Sequence, residues 1–218
     1  MASVTGDDHH PDVDTQVLAG LAAPRSEPVR GGSAPDDASL TRILEIATTV
    51  PDHGGLRPWR FAIVRGAGQD RFGEALVASL HAIRGGDVHD AVVAKMRGKA
   101  TAAPCAVMLI ASPRLESNVP EWEQVASASC TGYAIVLAAT SVGFGAVWKS
   151  AAVLEGQPLR ALFALAEHER LLGWVNIGSP GERGRRAQSE SGGADLDRLV
   201  TLVEADNRPF VRPGPGPG

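Results

Sequence analysis

The sequence predicts a mixed α+β domain in which helices outweigh about four or five strands. Two observations carry that expectation. Segments with helical and strand periodicity alternate along the chain. One of them, "APCAVMLIAS", is a continuous apolar run of strand length, as expected of a central strand. At 218 residues, 44% of them hydrophobic, the chain can bury one sizeable core, so one domain with tails is expected.

Residues 1–14 are polar and acidic and read as a disordered tail. The domain is expected over residues 15–211, followed by a Pro/Gly tail at 212–218 that can be neither helix nor central strand. Thr15 to Ala22 is short and apolar enough for a helix. "PRSEPVRGGSAP" reads as an irregular link, and Asp36 and Asp37 as the cap of a helix reaching about Thr49. "PDHGGLRP" breaks that helix, and "WRFAIVRG" alternates like a half-buried strand.

Gln69–Ile83 and His89–Ala102 read as amphipathic helices flanking the link to the apolar strand. A long helix follows over Glu121 to about Val142, then a short strand in "GFGAVWKS", a helix over Gln157–Ala166, and a strand in "LLGWVNIGSP". Gly181–Gly193 is expected to be a charged surface loop, and "DLDRLVTLVEADNRPFV" the last ordered stretch.

A net charge of −4 with both signs interspersed offers no basic face for nucleic acid. Cys105 and Cys130 both lie in apolar segments without metal-ligand neighbours, so two buried, reduced thiols in a cytoplasmic protein are expected, and no metal site. No signal-peptide pattern opens the chain. The uncharged run Val125–Trp148 raises the question of a membrane span. It is rich in Ser, Thr and Gly and lacks a flanking basic cluster, so a helix buried inside the protein or between two copies fits better.

"GFGAVWKS" matches a phosphate loop at Gly143, Lys149 and Ser150, with Trp148 in place of the second glycine. Such a loop works by leading a strand into a helix whose amides meet the phosphates. Here a helix precedes and a strand follows, so a nucleotide-triphosphate site is not expected. Gly143 reads as a helix C-cap. Trp148, Lys149 and Ser150 then place an aromatic plane, a cation and a hydroxyl in sequence at a strand end. Core tryptophan and solvated lysine is the competing reading.

Four segments in order, "VPDHGGLRPWRFAIVRG", "VPEWEQVASASCTGYAIVLAATSVGFGAVWKS", "GWVNIGSP" and "RPFV", resemble the flavin-dependent nitroreductase superfamily, and most of all its compact NAD(P)H nitroreductase subgroup. The resemblance implies an α/β sandwich with a mostly antiparallel sheet, in an intertwined homodimer that carries non-covalent FMN at the subunit interfaces. It also implies NADH or NADPH as hydride donor and a nitroaromatic, quinone or similar small molecule as acceptor. The flavin would carry the chemistry, so no catalytic side chain is expected.

The family's early Arg-Arg-Ser corresponds to Pro24-Arg25-Ser26, so Arg25 and Ser26 are expected at the FMN and the first arginine is lost. A second family arginine corresponds to Thr49. His53 matches, and Arg57 stands where the family usually has Gln. Trp148, Lys149 and Ser150 correspond to a Trp-Arg-Ser at the FMN. Ala138, Ala139 and Gly143 match a helix end implicated in nicotinamide binding. Ala126, Ser129, Ala139 and Thr140, with Tyr133, Val136 and Leu137, are expected to form a dimer face on the long helix. The lost arginines leave a second reading open, a non-catalytic member that binds or stores flavin.

Overall fold

The computed structural model describes residues 21, 29–85, 87–181, 199–203 and 207–209. The elements are β1 (Val29–Arg30), α1 (Asp37–Ala47), β2 (Trp59–Arg65), α2 (Gly68–Arg84), α3 (Asp90–Gly98), β3 (Cys105–Ala111), α4 (Glu121–Ser141), β4 (Gly145–Lys149), α5 (Gln157–Leu162), β5 (Arg170–Pro180), β6 (Thr201–Val203) and β7 (Asn207–Pro209). The last two strands form a hairpin in a separate compact unit that begins at Arg183. The tails, all but Leu21 of the helix expected at Thr15–Ala22 and most of the expected 181–193 loop lie outside the described residues, as do Pro24, Arg25 and Ser26.

Local chemistry sets the helix starts. The Asp36 carboxylate accepts the Ser39 amide at 2.8 Å and caps α1. Replacing Asp36 by Ala is expected to destabilise the helix start, read as a lower urea midpoint. α4 ends in a Schellman turn. The Phe144 amide donates to Ala139 O at 2.9 Å and the Gly143 amide to Thr140 O at 3.1 Å, with Gly143 at φ +90°. The C-cap reading of Gly143 is therefore right. α3 and α5 stop earlier than their periodicity implies, at Gly98 and Leu162.

Five strands form one sheet in which every pairing is antiparallel. β3 lies between β2 and β5, and β4 pairs with β5. The stretch read as an irregular link contains β1, whose two residues pair with the end of β5. So short a strand leaves no periodicity to read.

β3 is apolar throughout because helices cover both faces of an antiparallel sheet. Met108 and Ile110 face Phe72, Leu76 and Leu80 of α2. Val107 and Leu109 face Ile43 of α1 and Ile135 of α4. Trp174 meets Phe72 edge-on with ring centroids 5.2 Å apart. The result is a sandwich of α1 and α4, the sheet, and α2, α3 and α5.

Cys105 is buried and its thiol is pushed up to about 11 by desolvation. Cys130 is exposed, contrary to expectation. It sits on the outward face of α4, where an uncharged sequence does not distinguish inside from outside.

Candidate functional site

Antiparallel register defines one rim of the sheet, from which the elements carrying the candidate residues can be placed. Trp59, Ala111 and Arg170 stand opposite one another there. β2 enters from this rim, directly after the 53–57 turn, while α4 starts near it and β4 runs back toward it. An ion pair between Arg170 and Glu121 at 2.9 Å ties β5 to the first residue of α4.

His53 opens a single 3₁₀ turn, His53–Gly55, in which Gly54 and Gly55 adopt positive φ. Two residues one turn apart on α4 hold this segment. Glu123 Oε2 lies 2.8 Å from His53 Nδ1, and the Ser127 hydroxyl donates to Pro51 O. With Nδ1 on Glu123, Nε2 is the ring nitrogen left for a ligand. The turn closes on Arg57, whose amide donates to Asp52 Oδ2 at 2.6 Å and whose φ of +48° is a left-handed conformation unusual for a side-chain-bearing residue. The Arg57 side chain is exposed.

Gln124 clamps the preceding loop to the same helix. Its carbonyl oxygen accepts the Arg114 amide at 2.7 Å, and its amide group donates to Val119 O at 2.8 Å. Buried as it is, the side chain has its polar atoms satisfied. Glu123, Gln124, Ser127 and Asp52 were not anticipated. Their roles depend on contacts between distant segments that carry no local signature.

β4 alternates as expected. Ala146 is buried on the α4 side of the sheet, and Trp148, two residues on, lies against Gly132 of α4. Trp148 is 37% exposed, so it is neither plain core nor a free surface ring. Lys149 and Ser150 are exposed, and Lys149 forms no ion pair with another described residue. His53 and Arg57 thus lie in the turn that leads into β2 at the rim, whereas Trp148 and Lys149 pair with Val175 and Trp174, midway along β5.

The other candidates stand differently. Ala138 and Ala139 are buried in the core against the sheet, with their carbonyls accepting the Val142 and Phe144 amides. Only Gly143 of that trio is exposed. Thr49 directs its hydroxyl back to Ile46 O at 2.8 Å. On α4, Val136 and Ala139 face the core rather than outward, while Ala126, Cys130 and Tyr133 are exposed and Ser129, Leu137 and Thr140 half-buried. No described helix is long and apolar enough to cross a membrane, and the uncharged run is divided between α4, the turn at Gly143 and β4.

The nitroreductase family model matches residues 32–179 of this chain. "Putative NAD(P)H nitroreductase YdjA" of Escherichia coli K12 is 33% identical over 147 residues, 67% of this chain and 79% of that protein. A similarly named protein of Haemophilus influenzae is 34% identical over 155 residues, 70% of this chain and 82% of its own length. Among solved structures, a nitroreductase-like family protein from Bacillus cereus superposes with a TM-score of 0.70 at 18% identity, covering 89% of this chain and all of that one. FMN-dependent NfnB of Mycobacterium smegmatis, in complex with NADPH, gives 0.65 at 17% identity over 86% of this chain and 98% of its own. At these identities the structural likeness concerns the fold.

Proposed function

Since the chain belongs to the nitroreductase family, an oxidoreductase family, we propose that it is an FMN-dependent NAD(P)H oxidoreductase acting by ping-pong turnover on nitroaromatics, quinones or similar acceptors. The observation that carries this reading is the partly exposed Trp148 indole at the end of β4, followed by the exposed Lys149 and Ser150, with no ion pair to Lys149 among the described residues. Bound FMN would accept a hydride from reduced nicotinamide and return the electrons to the acceptor.

The residues suit that group. Trp148 offers an aromatic face, Ser150 a hydroxyl, and Lys149 a charge that no described carboxylate neutralises. Gly173 lets the Lys149 backbone and the Trp148 indole approach β5 more closely than a side chain would allow. Arg25 and Ser26 are proposed to complete the phosphate end. Of the residues assigned to nicotinamide, Gly143 is the part still on the surface, so contact at this helix end would be through its backbone. Two unbridged thiols agree with a cytoplasmic setting.

We further propose a homodimer through the outward face of α4, where Ala126, Ser129, Cys130 and Tyr133 present small or apolar surface without charge. Ala126→Arg is expected to shift the protein from twice the 22.7 kDa chain mass to the single-chain mass in sedimentation. An unchanged mass would place the interface elsewhere.

The second reading, flavin binding without turnover, is favoured by Thr49, whose hydroxyl is committed to its own helix. Purified protein is expected to bind FMN and to oxidise NADH or NADPH when menadione or a nitroaromatic is added. Tight FMN binding without turnover on any acceptor would select the storage reading, and no FMN binding would sink both.

A further inference from the structure

We propose that Gly132 and Gly173 are positioning residues of this site: they form a slot without side chains that lays the Trp148 indole on α4 and leaves its outer face as a plate for a planar aromatic ligand. The proposal rests on the flavin reading above.

Two separate elements make the slot. On α4, a Cβ at Gly132 would stand 3.0 Å from both Cη2 and Cζ3 of Trp148, and 2.5 Å from Leu109 Cδ1. No side chain fits there unless the indole or Leu109 moves. On β5, a Cβ at Gly173 would stand 2.9 Å from Trp148 Nε1 and would overlap Lys149 O. Backbone cannot retreat as a side-chain tip can.

Gly173 also carries φ +128°, a conformation L side chains rarely adopt. It sits where the β3–β5 register slips. Leu109 pairs with Gly173 and Ile110 with Leu171, so Leu172 is the extra residue of a bulge. The bulge and its glycine let the end of β4 approach closely, and Gly132 receives the far edge of the ring. Trp148 is therefore held at two edges and remains 37% exposed. Lys149 and Ser150 follow it along the chain, so the slot sets their starting point too.

The test uses the full chain carrying 5-fluorotryptophan. Its four tryptophans give separable fluorine resonances, with that of Trp148 identified by its loss in Trp148→Phe. Gly132→Ala is expected to move the Trp148 resonance before any FMN is added, to leave that of Trp174 in place, and to weaken FMN binding roughly tenfold. Phe lacks the indole atoms that the added methyl group would meet, so in the Trp148→Phe background Gly132→Ala should cause no further loss. In a Leu109→Val background the loss should persist.

The opposite pattern, relief by Leu109→Val and none by Trp148→Phe, would show that the effect runs through core packing and would overturn the proposal. So would an unmoved Trp148 resonance. Should wild-type protein fail to bind FMN, the flavin reading falls, while the resonance shift still decides whether Gly132 positions Trp148.

Discussion

Arg60→Met is expected to destabilise the protein by about 3 kcal/mol at neutral pH, the cost of leaving a buried carboxylate without its partner. Arg60 grips Glu169 with both arms of its guanidinium, Nε to Oε1 at 2.7 Å and an Nη to Oε2 at 2.6 Å. The same Nη lies 3.0 Å from Phe163 O and 3.1 Å from Ala164 O. Glu169 is itself 5% exposed, and its carboxylate also accepts the Ala166 amide at 3.0 Å. The pair thereby pins the turn between α5 and β5, in which Ala164 is held at φ +48°. Loss of about 3 kcal/mol in a chain this long should lower Tm by roughly 6–12 °C.

Acid provides an independent check. Hydrogen bonding to Arg60, opposed by burial, holds the Glu169 carboxyl at about 2, below the ordinary 4.5. A carboxyl depressed on folding contributes stability that is fully present above its unfolded value and lost as pH falls through the folded one. The wild-type contribution should therefore fade between about 4.5 and 2. The gap between wild type and Arg60→Met, measured by urea unfolding, should accordingly be widest near pH 7 and shrink at about pH 3. A gap independent of pH would mean that packing, not the ion pair, carries the effect.

Lys149→Ala is expected to weaken FMN binding about ten- to a hundred-fold, the range of one charge-assisted hydrogen bond of about 1.5–3 kcal/mol. The expectation follows from what surrounds it. The resemblance aligns Thr49 and Pro24 with family arginines, and the Thr49 hydroxyl is spent on Ile46 O. An arginine presents two parallel donors to a phosphate, whereas a lysine offers a point charge. On the proposed reading Lys149, exposed and without an ion pair among the described residues, would carry a larger share of the electrostatics.

Flavin fluorescence titrations at low and high salt give the readout. Added salt should weaken wild-type binding more than that of the variant, because an exposed cation is screened. Equal affinities would return Lys149 to the role of a solvated surface charge.

The positions of most elements were legible because their signals are local. Asp36 caps α1 through a residue three places away, Gly143 closes α4 within its own turn, and the apolar run at 105–111 has the length and composition of a central strand. Trp148, Lys149 and Ser150 were likewise readable as an alternating strand end.

Other features required the folded chain. α4 carries no charge after Glu123, so no polar face fixes its rotation, and only packing against the sheet turned Val136 and Ala139 inward and Cys130 outward. His53 meets Glu123 across 70 positions, and Arg60 meets Glu169 across 109. Gly132 and Gly173 look like ordinary interruptions until Trp148 occupies the space above them. Periodicity and capping act over a few residues, so a linear reading recovers them. Helix rotation, long-range ion pairs and empty slots exist only once separate segments share a surface.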